Sequence, residues 1–143
     1  MEGNFVATSA VTIDAPLSRV WEVITDPAAV KEFMFGTELV TDWTVGGPIV
    51  WRGEWEGKPY EDKGYILEVE PGQRLVHTHY SALGGEEDRP ENYHTLTWTL
   101  EARDGGTLLT LSQDNNATEQ AAQHSQGMWD MLVADVKEIA ERG

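Results

Sequence analysis

Residues 94–140 read HTLTWTLEARDGGTLLTLSQDNNATEQAAQHSQGMWDMLVADVKEIA, and their period changes part-way along. His94, Leu96, Trp98 and Leu100 alternate with Thr95, Thr97 and Thr99, the period of a strand with one buried face. Asp104-Gly105-Gly106 supplies hairpin-turn chemistry ahead of a further strand over 107–113. Beyond Thr118 and Glu119, which start a helix, Ala121, Ser125, Met128, Leu132, Val136 and Ile139 recur at steps of three and four, flanked by Trp129, Val133 and Ala140. A helix that ends a run of hairpin-linked strands has to bury its stripe against a sheet. The prediction is therefore an antiparallel sheet covered on one face by the terminal helix.

Working outward, residues 5–14 are rich in Val, Thr and Ile and read as a first strand. Ala15-Pro16 opens a helix with the stripe Leu17, Val20, Trp21 and Ile24. Asp26-Pro27 opens a second short one carrying Val30, Phe33 and Met34. Gly46-Gly47-Pro48 then breaks the chain before 49–55, where Ile49, Trp51 and Trp55 share a face. Gly57-Lys58-Pro59 reads as a turn, and Tyr65, Leu67 and Val69 alternate with Ile66 and Glu68 in the next strand. Pro71-Gly72 leads into a strand over 75–80. Residues 81–92 form a long acidic loop in which Glu86-Glu87-Asp88 is most simply a solvated tip, a lid being the alternative. The order is strand, two short helices, about six strands and one long helix, predicting a single α+β domain over residues 1–143.

The chain has 143 residues, with 10 Lys and Arg against 25 Asp and Glu, so its formal charge is 10 − 25 = −15. Ten cations on so acidic a chain argue against a nucleic-acid partner and against a polybasic contact with anionic lipid. The 40% apolar share and six tryptophans argue for a packed core rather than disorder. Cysteine is absent, which removes disulfides, thiolate nucleophiles and Cys-based zinc sites. With no signal-peptide pattern at the start and no long apolar run, a cytoplasmic location without membrane contact is expected.

The order of elements and several local motifs resemble the START/Bet v 1-like (SRPBCC) superfamily. Within it the chain is similar to the family named after the activator of the heat-shock protein 90 ATPase. The residues concerned are Ile13-Asp14-Ala15-Pro16 with Val20-Trp21, Asp42-Trp43 with Gly46-Gly47, and Gly64 ahead of Leu67-Glu68-Val69-Glu70-Pro71, then Leu75. Gly106-Thr107-x-Leu109 and, in the terminal helix, Trp129, Val133 and Val136-Lys137 complete the match, which spans nearly the whole chain. The resemblance implies a helix-grip fold, a curved antiparallel sheet wrapped around the long C-terminal helix with a cavity between them. It carries over no catalytic residue. The eukaryotic activator engages its chaperone with an additional N-terminal domain for which 143 residues leave no room, so chaperone activation is not expected.

Against that fold, Trp51, Trp55, Tyr65 and Trp98 offer an aromatic sheet face suited to a ligand with a few polar anchors. Ser125, Met128 and Leu132, with Val136, make the opposite wall, Met128 being adaptable to ligand shape. Ordinary core packing against the terminal helix is the more common explanation for any one of these aromatics. His94 shares the inward face and would orient a ligand or transfer a proton, unless it is a core-edge histidine bonded to backbone or to Gln113. His77-x-His79 places two imidazoles on one side of a strand, but without a metal motif a solvated or hydrogen-bonded pair is the simpler reading. No metal, cofactor or catalytic constellation is indicated. The expected function is binding of an apolar or aromatic small molecule between sheet and terminal helix. The alternatives are an enzyme resembling polyketide cyclases of the same superfamily, working through His94, His79 or an inward Tyr, and a chaperone-interacting module.

Overall fold

The computed structural model describes residues 5–34, 36–81 and 87–142, apart from the Trp55 side chain. Strand β1 (Phe5–Ile13) is followed by helices α1 (Leu17–Thr25) and α2 (Pro27–Phe33). Strands β2 (Glu38–Thr41), β3 (Pro48–Trp55), β4 (Lys58–Glu70), β5 (Arg74–His79), β6 (His94–Arg103) and β7 (Gly106–Asn116) come next, and helix α3 (Glu119–Arg142) ends the chain. The seven strands form one antiparallel sheet in the order β1-β7-β6-β5-β4-β3-β2. The sequence thus places the elements in the right order, although Lys58 and Pro59, read as part of a turn, begin the 13-residue strand β4. The strand over 38–41 was not singled out, because four residues are too short to show a period.

The helix starts obey capping chemistry. Asp26 accepts a hydrogen bond from the Ala28 amide at 3.3 Å with Pro27 at the first position of α2. The Thr118 hydroxyl likewise accepts from the Ala121 amide at 3.0 Å at the start of α3. At the other end of α3, Arg19 of α1 donates to the Ile139 carbonyl at 3.0 Å and the Ala140 carbonyl at 3.3 Å. It thereby satisfies acceptors that a helix end leaves open. α3 lies mainly over β1 and β7, and this contact encloses Ile13, Leu109, Leu111, Val133 and Val136.

Strand β4 departs from the predicted face. Ile66 pairs with His77 but Glu68 pairs with Val76, so Leu67 is a one-residue bulge. A bulge reverses which side of the sheet each later residue faces. Ile66 is fully buried, Val69 packs on the core, and Tyr65 and Leu67 stand on the outer face, Tyr65 being 51% exposed. The single alternation expected across Tyr65, Leu67 and Val69 is therefore two alternations of opposite phase. The same strand begins at Lys58, directly after the turn at Glu56 and Gly57, both of which have positive φ. Gly64 is required where β4 crosses β5, because a Cβ there would come within 1.9 Å of the Thr78 carbonyl oxygen. No helix among the described residues is long and apolar enough to cross a membrane.

Candidate functional site

On the inner face, the strands away from α3 carry a different kind of side chain. Trp51 of β3 lies directly across the ladder from Asp62 of β4, and Trp51 is 6% exposed. Its ring centroid is 5.2 Å from that of His77 and 5.1 Å from that of His79, the latter edge-on. Alternation on β5 puts both imidazoles on this face, as the His77-x-His79 spacing requires. Among the described residues, no three His, Asp or Glu side chains gather at metal-binding spacing.

The two histidines are in different states of use. His77 is buried with both ring nitrogens committed: Nδ1 donates to the Thr78 carbonyl at 3.0 Å and Nε2 accepts from the Trp98 indole N–H at 3.1 Å. Those roles fix one neutral tautomer. Burial is the main cause that depresses its pKa to about 4, with a contribution from neighbouring His79 and partial opposition from the Thr78 carbonyl. His77 is thus a post that holds Trp98 and flanks Trp51, with no nitrogen left for a ligand.

His79 is only half-committed. Its Nε2 donates to Asp62 Oδ2 at 3.1 Å. Its Nδ1 and the other carboxylate oxygen, Asp62 Oδ1, are both buried and have no hydrogen-bond partner among the described residues. Leaving such a group unpaired costs about 1–3 kcal/mol each, so a pair of them within one hydrogen-bonded unit is unusual in a packed interior. Next to Asp62 on the same face, Tyr60 shares a hydrogen bond with Thr37 at 2.7 Å. Gly53 makes room for that ring, since a Cβ there would lie 2.6 Å from the Tyr60 hydroxyl.

Toward α3 the polar groups are mutually satisfied. The Trp129 indole N–H donates to Gln113 Oε1 at 3.2 Å, the Ser125 hydroxyl to Asn116 Oδ1 at 3.1 Å, and the Ser9 hydroxyl to Asp130. His94 Nδ1 donates to the Asp114 carbonyl at 2.8 Å, so its partner is backbone on β7 rather than Gln113.

The expected cavity residues divide accordingly. Trp51 and Trp98 lie buried on the inner face, His94 and Ser125 are half-buried at its α3 side, and Leu132 packs against the core. Trp55's side chain lies outside the described residues. Tyr65 does not face the interior. Because of the β4 bulge it lines, with Lys63, Thr78, Asp88, Pro90 and Tyr93, an outer-face groove of about 340 Å³. Met128 does not line the inner wall either: it is 53% exposed, because the buried side of α3 runs through Ala122, Val133, Val136 and Ala140.

Of the acidic loop, residues 82–86, including Glu86, lie outside the described residues. Its exit is fastened to the outer face. Asp88 pairs with Lys63 and accepts from the Tyr93 hydroxyl at 2.6 Å, Asn115 donates to the Glu91 and Tyr93 carbonyls, and Tyr93 stacks on Tyr80. Burial, reinforced by the Asp88 carboxylate, pushes the Tyr93 phenol up to about 12.

A curved antiparallel sheet gripping a long C-terminal helix, with two short helices after the first strand, defines the START/Bet v 1-like class. Residues 14–141 match the model of the family described as activator of Hsp90 ATPase homolog 1-like protein, and the chain belongs to that family. No functionally curated protein matches it. Among solved structures, a Cytophaga hutchinsonii protein determined in solution is 44% identical over 99% of this chain and 97% of its own, with a TM-score of 0.86. The Aha1 dimer from Colwellia psychrerythraea shares the fold at 16% identity and a TM-score of 0.73, covering 96% of each chain. DynU16, from the dynemicin biosynthetic locus, does so at 22% identity and 0.77, with 95% of this chain matching 47% of that one.

Proposed function

We propose that this protein binds an apolar or aromatic small molecule between the inner face of its sheet and α3. The observation that carries the reading is the cluster of Trp51, His79 and Asp62, an aromatic wall beside polar atoms that the protein does not itself satisfy. Ligand pockets combine broad apolar surface with a few convergent polar groups, whereas a region built for stability alone pairs its polar groups internally, as the α3 side does here. Trp51 and Trp98 supply the surface on the sheet, and Leu132, Ser125 and His94 bound it toward α3 and β7. With a formal charge of −15, the protein favours a neutral or cationic guest over an anion.

Titration with the neutral fluorophore N-phenyl-1-naphthylamine tests this. Its emission should rise on binding, and a probe present at 100 times its Kd should stabilise the fold by about 2.7 kcal/mol. Leu132→Trp, which fills space beneath α3, should weaken the signal at least tenfold. Unchanged emission and melting temperature with wild type, or an unaltered signal with Leu132→Trp, would overturn the reading.

A second reading, an enzyme, draws on the same pair. A carboxylate that fixes one imidazole nitrogen and leaves the other as acceptor is the arrangement of a general base. In that case His79→Gln abolishes turnover of a bound carbonyl compound while the fluorophore still binds.

A further inference from the structure

We infer that Asp62 and His79 form the recognition end of the proposed ligand site, selecting ring-bearing molecules that carry a hydroxyl or amino donor at their buried edge. The inference rests on the small-molecule reading above and names the chemistry that reading leaves open. It follows from the lone pairs. His79 Nε2 has to carry a proton to bond the Asp62 carboxylate at 3.1 Å, so in the neutral ring Nδ1 is an acceptor. Asp62 Oδ1 is an acceptor in any ionised carboxylate. With the ring neutral, the two buried atoms without partners are therefore two acceptors within one hydrogen-bonded unit.

A guest that only accepts, such as an ether or a ketone, leaves both atoms unpaired. A guest with an O–H or N–H satisfies at least one, and an amino group can address both. The Trp51 ring stands edge-to-face with His79 and across the ladder from Asp62, so an aromatic body whose donor reaches the pair comes to rest against the indole. His77 does not compete for the donor, because its acceptor nitrogen is already taken by Trp98. Sites built on buried acceptors discriminate strongly against analogues that lack the matching proton, since rejection comes from the atoms left unpaired.

The test is a matched pair of probes, 1-naphthol and 1-methoxynaphthalene, each used to displace N-phenyl-1-naphthylamine from wild type, Asp62→Asn, His79→Phe and Trp51→Phe. Wild type should prefer the naphthol at least tenfold. His79→Phe and Asp62→Asn should bring the two affinities to within about threefold, chiefly by weakening the naphthol. Trp51→Phe should weaken both probes and keep the preference. Circular dichroism shows that each variant is folded, and the affinity of the donor-free 1-methoxynaphthalene shows that the site of Asp62→Asn and His79→Phe is otherwise intact. Equal displacement of the fluorophore by both probes from wild type would overturn the inference while leaving the cavity standing. If neither probe displaces it and the fluorophore itself does not bind, the cavity reading fails and this inference fails with it.

Discussion

The two halves of the inner sheet face are built from the same strands' alternation, yet they solve different problems. Over β1 and β7, beneath α3, the side chains are Ile13, Leu109 and Leu111, all fully enclosed, and the polar groups nearby are paired. Over β3 to β5 the face carries Trp51, Asp62, His77 and His79, and two polar atoms stay open. The first half is dominated by aliphatic burial, and among the described residues no buried side-chain polar atom there lacks a partner. The second half leaves two buried polar atoms unpaired, a local cost that the proposed ligand-binding role accounts for. Functional sites are commonly where a fold tolerates such local cost.

That division can be broken from either side. Leu109→Ala should have the largest effect, a loss of about 2–5 kcal/mol in urea denaturation, since it opens a cavity under α3. The preference of folded protein for a donor-bearing ligand should not change. A small stability loss together with a lost preference would show that the halves are not separable.

The next effect is pH-dependent. The folded His77 pKa of about 4 lies below the ordinary 6.5, so above pH 6.5 the ring is neutral in folded and unfolded chains alike. As pH falls from 6.5 toward 4, the unfolded chain takes up a proton that the folded one refuses. Stability is then lost at up to about 1.4 kcal/mol per pH unit, or about 3 kcal/mol in all. His77→Gln should remove this component, so the stability difference between wild type and variant should shift by that amount across the window. A constant difference would show that His77 does not titrate as the burial implies.

Gly64→Ala should cost about 1–3 kcal/mol, because the new Cβ collides with the backbone of Thr78 and β4 must move from β5. It sharpens the comparison by displacing the strands that hold Asp62 and His79 together. Probe selectivity should fall further than it does in a core variant of equal stability. The smallest thermodynamic effect is expected from Asp62→Leu combined with His79→Phe. Replacing a mostly buried polar pair by apolar groups should leave the melting temperature unchanged or raised, while the preference for 1-naphthol over its methyl ether disappears. A strong destabilisation would mean that the pair is structural.

Much of the fold was legible because its signals are long. The alternation over His94 to Leu100 and the helical spacing from Ala121 to Ile139 each repeat often enough to define an element. The site was legible only in part. Trp51 and Trp98 were recognisable as inward aromatics, since no irregularity interrupts their local alternation. Tyr65 was misplaced because a bulge has no period: Leu67 looks like any other apolar strand residue, and only the pairing partner reveals it as extra. Met128 was misplaced because the spacing along α3 does not fix how wide its buried side is. Asp62 was missed altogether. It stands between Glu61 and Lys63, in a run that reads as a solvated face, and its importance comes from a histidine seventeen positions away. His77 and His79 drew attention as a pair, whereas their roles come from different partners across neighbouring strands.

The bulge at Leu67 has a consequence for how this surface can change over time. It acts as a phase joint within a single strand: before it the inward side chains are Tyr60, Asp62 and Ile66, and after it Val69, with neither set constrained by the other's alternation. Substitutions around Tyr60 and Asp62 can therefore be exchanged as a cassette between related chains without re-registering the strand that follows. The inward chemistry of β4 can drift in this way while the scaffold keeps its shape.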